Sequence, residues 1–186
     1  MSSPPAFHPP LSSPDNLFRR SLSPFRRSLP LVAFIVLAFT PAAVGMLFPP
    51  DMWYASLHKP AWNPPAAAFA PVWSLLYLTI GISGWLAWRR AGWSQQTFQP
   101  YLVQLLLNML WTPVFFGLHA PMTALIVSVA LTASILWTMR RFAAVNGAAA
   151  LLLLPHLGWG AFATALTGWV AVHNLRSPPV LRPPPP

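Results

Sequence analysis

The chain has 186 residues, 55% of them hydrophobic and 7% charged, with 24 prolines, 10 tryptophans, no cysteine and a formal net charge of +9. A soluble domain carries about 25% charged residues, so this composition excludes an ordinary water-facing globule and points to the bilayer. The missing cysteines exclude disulfide scaffolds and thiolate sites, and two acids, Asp15 and Asp51, are too few for paired-carboxylate catalysis or a carboxylate metal cage.

Residues 1–28 are rich in Pro, Ser and Arg and poor in apolar side chains. Such a segment cannot offset its ordering entropy and reads as a disordered basic tail. Its Arg and Ser content also fits an organelle transit peptide, and the two readings stay open. Residues 176–186 form a second, Pro-rich tail.

Five apolar runs lie between the tails, at about residues 29–48, 69–88, 101–119, 121–139 and 148–172, and none holds a charged side chain. Each approaches the roughly 20 residues that cross about 30 Å of hydrocarbon as a helix. They are too long and too continuously apolar for barrel strands, so the expected class is an all-α membrane protein, a five-transmembrane-helix bundle over 29–175. The basic residues stand mostly in pairs at run ends, as topology signals do, and not on a nucleic-acid-binding face. Eight of them (Arg19, Arg20, Arg26, Arg27, Arg89, Arg90, Arg140, Arg141) fall on one side, against Lys59, Arg176 and Arg182 on the other. In a bacterial inner membrane that bias places the N-terminus in the cytoplasm; an organelle membrane is the alternative location.

The first connection, about residues 49–68, is long and carries Trp53, Tyr54, Trp62 and several prolines. A proline-stiffened aromatic loop of this length is expected to cap a cavity, with an interfacial aromatic belt as the alternative. In the third run, Gln104, Asn108, Trp111 and Phe115 are spaced by four, three and four, which places them on one helical face. Amides avoid lipid, so that face looks inward, either as interhelical glue or as a cavity wall. In the fifth run, Pro155, Trp159, Ala163 and Leu166 share a face, and Pro155 should bend the helix. Small residues here permit close helix approach, or leave room for a flat ligand beside Trp159. His156 reads first as a hydrogen-bonded packing residue and second as a haem-iron ligand. The five histidines show no metal-ligand spacing, so no metal site is expected.

The run Trp53-Tyr54-x-x-Leu57-x-Lys59-Pro60-x-Trp62-x-Pro64-Pro65-x-x-x-Phe69-x-Pro71-Val72-Trp73 resembles the signature of the tryptophan-rich sensory protein / translocator protein (TspO/MBR) family, also called peripheral-type benzodiazepine receptors. The resemblance continues through Gln104-Leu105, Leu107-Asn108-x-x-Trp111-x-Pro113-x-Phe115-Phe116-Gly117 and Leu153-Leu154-Pro155-x-Leu157-x-Trp159. It implies a five-helix bundle, usually a homodimer, whose first loop caps a cavity for tetrapyrroles such as protoporphyrin IX or haem. Some members bind sterols and synthetic ligands. By position the cavity would include Tyr54, Trp62, Trp73, Asn108, Trp111, Phe115, Trp159, Ala163 and Leu166. Trp73 and Trp159 match the tryptophans implicated in light-dependent porphyrin breakdown.

The family usually has tyrosine where this chain has His156 and asparagine where it has Thr167, and a tyrosine followed by a basic residue is missing after Leu166. Sterol binding is therefore not expected. Lys59 is a candidate partner for a propionate. No cofactor is obligatory. The reading is a membrane-embedded tetrapyrrole-binding sensor or regulator, with a transporter of porphyrins or other amphipathic, sterol-like small molecules across the membrane as the alternative. An enzymatic role is confined to light- or oxygen-driven porphyrin degradation, because no acid/base machinery exists beyond His156.

Overall fold

The computed structural model describes residues 23–175, and all regular structure among them is helical. Helix α1 is Ser23–Gly45. It starts inside the segment expected to be tail; the remainder of both expected tails, residues 1–22 and 176–186, lies outside the described residues. A short α2, Met52–Ser56, stands within the first loop. Helix α3, Ala66–Ala91, ends with Arg89 and Arg90 in its last turn, where cations complement the helix dipole. Gly92 then stops it at φ 68°, a conformation open to glycine.

Helix α4 is Gln95–Thr112, opened by Ser94, whose hydroxyl accepts the Thr97 N–H at 3.3 Å. It passes directly into a π-helical turn, Pro113–Gly117, in which the Leu118 N–H reaches the Pro113 carbonyl at 2.9 Å. Helix α5 is Pro121–Ala143, with proline in its first turn, where its missing donor costs nothing.

The last apolar run divides. Asn146 caps a short α6, Gly147–Leu151, and the chain restarts as α7, Leu154–Asn174, with Pro155 in the first turn. Where a bend at Pro155 is expected, the helix is interrupted just before it, since proline cannot donate back to Leu151.

Four segments are long and apolar enough to cross a membrane: Ser28–Gly45, Ala66–Ala91, Pro121–Ala143 and Gly147–Asn174. The expected third span, in α4 and the π-helical turn, does not join them. Gln95, Gln96, Gln99, Gln104 and Asn108 lower the hydropathy of that helix.

Helix α1 packs on α3 and α4, α4 packs on α5, and α5 packs on α7. The two ends of the bundle differ. The end remote from the first loop is filled by Phe34, Phe98, Tyr101, Phe142 and Leu153. There the Tyr101 and Phe142 rings stack at 5.6 Å, and a Cβ on Gly84 would come within 2.8 Å of both Phe34 and Tyr101. The Ser83 hydroxyl donates to the Ala149 carbonyl at 2.6 Å, holding α3 to α6. Helices α5 and α7 are joined by Ser128, Thr132 and Thr164, whose hydroxyls meet at 2.9 and 3.0 Å. The end beneath the first loop is left open.

Candidate functional site

The first loop is built as a lid. Asp51 caps α2 by accepting the Tyr54 N–H at 3.0 Å, and its other oxygen lies 2.9 Å from His119 Nε2. The accepted N–H is the main reason the Asp51 carboxyl sits below its ordinary value. His119 adopts φ 51°, the turn that ends the π-helical segment, and its ring stacks on Trp53 at 4.3 Å. At the other end of α2, the Lys59 ammonium donates to the carbonyls of Tyr54 (2.6 Å), Leu57 (3.1 Å) and Ala55 (3.4 Å). It also lies 4.6 Å from the centre of the Tyr54 ring. Burial holds Lys59 below the ordinary lysine value and raises the Tyr54 phenol.

A second tie runs to the end of α7. The Asn174 side chain accepts the His58 N–H at 2.9 Å and donates to the His58 carbonyl at 3.0 Å. The lid is therefore held to α7 and to the loop before α5.

Under the lid lies a cavity of about 790 Å³. Tyr54, Trp73, Asn108, Trp111, Phe115, Trp159, Ala163 and Leu166 all line it. Trp62 does not. It stands outside, 47% exposed, with its ring edge-to-face on Phe162 at 5.6 Å. A belt-like indole and a cavity indole look alike in a loop sequence, and only packing separates them.

The aromatic wall falls into two groups of touching rings. Trp73 meets Trp159 edge-to-face at 6.5 Å and stacks on Tyr77 at 5.3 Å. Phe69 meets Trp159 at 6.0 Å, and Trp111 stacks on Phe115 at 5.0 Å. Sequence reasoning missed Pro41, Gly45 and Phe48 from α1 and its end, and Ser128 and Leu131 from α5. Apolar residues on apolar helices carry no signal of which side faces a cavity.

Two expectations change. Lys59 touches the cavity, but its three ammonium donors are met by three carbonyls. It caps α2 and is not free for a ligand anion. The glue reading of the amides also fails: neither polar atom of Gln104 and neither ring nitrogen of His156 has a hydrogen-bond partner, nor do Asn108 Nδ2 and Trp111 Nε1. Gln104 and His156 are fully buried. Among the described residues no three His, Cys, Asp or Glu side chains gather as a metal site.

A multi-pass helical membrane protein with a lidded, tryptophan-walled apolar cavity is the class these features define. The TspO/MBR family sequence model matches residues 29–172, and the chain belongs to that family. It is 38% identical to the tryptophan-rich protein TspO of Archaeoglobus fulgidus over 142 residues, 74% of this chain and 92% of the relative. It is 37% identical to the tryptophan-rich sensory protein of Cereibacter sphaeroides over 135 residues, 73% and 85% of the two chains. It is 37% identical to the human translocator protein over 118 residues, 61% and 70% of the two chains.

Proposed function

We propose that this protein is a membrane-embedded sensor or regulator that binds a tetrapyrrole of the protoporphyrin IX type in the cavity beneath the first loop. The observation that carries the reading is the cavity itself: about 790 Å³, walled by Trp73, Trp111, Trp159 and Phe115, beneath the tethered first loop. Indole faces and edges suit a large flat aromatic body. The test is quenching of tryptophan fluorescence by protoporphyrin IX with the full chain in detergent. Saturable quenching is expected, weakened at least tenfold in a Trp73→Phe, Trp159→Phe double variant. Unchanged affinity in that variant would sink the assignment of these positions.

We read Gln95–Gly117 as a fifth crossing, with Gln104 and Asn108 turned into the bundle, in a homodimer. Arg89, Arg90, Arg140 and Arg141 end α3 and α5 at the side away from the lid. In a bacterial inner membrane the positive-inside bias then opens the cavity toward the non-cytoplasmic side. Porphyrin degradation is an accessory activity at Trp73 and Trp159, tested by comparing porphyrin loss in light and in darkness. Transport is disfavoured, because the one charged side chain on the cavity wall, Lys59, is spent on capping α2.

A further inference from the structure

The wall that α7 contributes is one helical stripe: Trp159, Ala163, Leu166, Thr167 and Val170 all line the cavity. Thr167 follows Ala163 by four residues and precedes Val170 by three, so its Cβ stands in the middle of that stripe, on the face turned to the cavity. The residue is 3% exposed. A hydroxyl inside a helix can donate to the carbonyl one turn back. Thr164 does so, to Gly160 at 2.8 Å, and Thr132 does so, to Ser128 at 3.0 Å. The Ser128 hydroxyl, also on the cavity wall, is met by Thr164 at 2.9 Å. Thr167 makes no such bond: among the described residues its hydroxyl has no hydrogen-bond partner. Its oxygen nevertheless keeps accessible surface, in contrast to the unmet atoms of Gln104 and His156, which keep none. A buried hydroxyl that is unpaired yet reachable, on a face turned to a cavity, calls for a partner that enters the cavity.

We propose that the Thr167 hydroxyl donates a hydrogen bond to an oxygen of the cavity ligand and so fixes which edge of that ligand faces the lid. The inference rests on the tetrapyrrole reading and deepens it. Helix α7 runs toward the lid, since it ends at Asn174, which holds His58. Thr167 lies eight residues beyond Trp159, about 12 Å nearer the lid along the axis, and seven before Asn174, about 10 Å beneath that tie. The flat aromatic body therefore sits at the level of Trp73 and Trp159, which meet edge-to-face, and its oxygen-bearing edge lies above, toward the lid. The donor is neutral, so it suits a carbonyl, ester or carboxyl oxygen and asks for no charge on the ligand. The Lys59 ammonium does not compete for that oxygen, because three carbonyls already take its donors.

The test uses the full chain in detergent and two probes: protoporphyrin IX dimethyl ester, and etioporphyrin, which has the same macrocycle without oxygen. Thr167→Val keeps the shape of the side chain and removes the hydroxyl. It is expected to weaken binding of the ester about three- to tenfold, the worth of one neutral hydrogen bond. Etioporphyrin affinity should change less than twofold, which also reports that the cavity is folded. Thr167→Ser retains the donor and should retain most of the ester affinity. Independently, the infrared band of a 13C-labelled ester carbonyl should move to lower wavenumber on binding the unaltered protein and return toward its free position in Thr167→Val. Where Thr167→Val fails to fold, Thr167→Ala gives the same comparison. Unchanged ester affinity, equal weakening of both probes, or a carbonyl band at its free position in the unaltered protein overturns the Thr167 contact and leaves the tetrapyrrole reading intact. No saturable quenching by either probe removes both.

Discussion

At Asp51 a single carboxylate does two jobs: it caps α2 and meets His119. Its folded-state pKa is depressed, chiefly by the Tyr54 N–H. Its contribution to the lid is therefore present above the ordinary value of 3.8 and is lost as pH falls through the lower folded value. Hydrogen-exchange protection of the Tyr54 amide, corrected for intrinsic rates, should be flat near neutral pH and fall only in that acid window. An Asp51→Asn variant keeps a capping oxygen and should lose that acid-linked fall. The Asn174 side chain ties the lid at its other side through two hydrogen bonds. An Asn174→Ala substitution should cost the closed lid about 1–2 kcal/mol, which is a factor of about 5–30 in its closing equilibrium. Stopped-flow release of protoporphyrin IX should quicken by that order; an unchanged rate would show that this latch does not gate release. These contacts join positions far apart in the chain, His58 to Asn174 and Asp51 to His119, so no local pattern announces them.

Among the elements, glycines mark where helices touch and where they do not. A Cβ on Gly81 would sit 2.8 Å from the Ile35 Cα, a backbone atom that cannot turn aside. Gly81→Ala should force α1 and α3 apart at a cost of about 1–3 kcal/mol. Gly158, in α7, has nothing within 4 Å of a Cβ. There Gly158→Ala should be neutral or stabilising by about 0.4–1 kcal/mol, because it removes unfolded-chain entropy in a helical position. Thermal unfolding in one detergent compares the pair, and equal effects would contradict the packing. Four of the five expected spans were legible from apolar run length, and part of the faces of α4 and α7 from spacing: Asn108, Trp111 and Phe115 line the cavity together, as do Trp159, Ala163 and Leu166, whereas Gln104 and Pro155 do not. The break before α7 and the π-helical turn were not. Each depends on how prolines redistribute hydrogen bonds among neighbours that the bundle has already positioned.

Over the whole molecule, packing is unequal along the bundle. One end is closed by stacked aromatics and the other holds an aromatic cavity under a lid. Filling the cavity should therefore remove binding without unfolding the protein. Ala163→Phe places a ring where Ala163 now lines open space, and protoporphyrin quenching should be lost while the thermal midpoint stays within a few degrees. Retained binding would mean that the ligand sits elsewhere. Composition alone pointed this chain to a bilayer, because hydrocarbon excludes charge. Helical periodicity and the aromatic loop located most of the cavity wall, because side chains at fixed spacing must share a face. Only the tertiary structure decided that Trp62 stands outside the wall, that Lys59 is consumed in capping, and that Gln104 and His156 are fully buried with their polar atoms unmet. Whether a polar group finds a partner is set by what other helices bring within about 3 Å of it, and that distance is written nowhere along the chain.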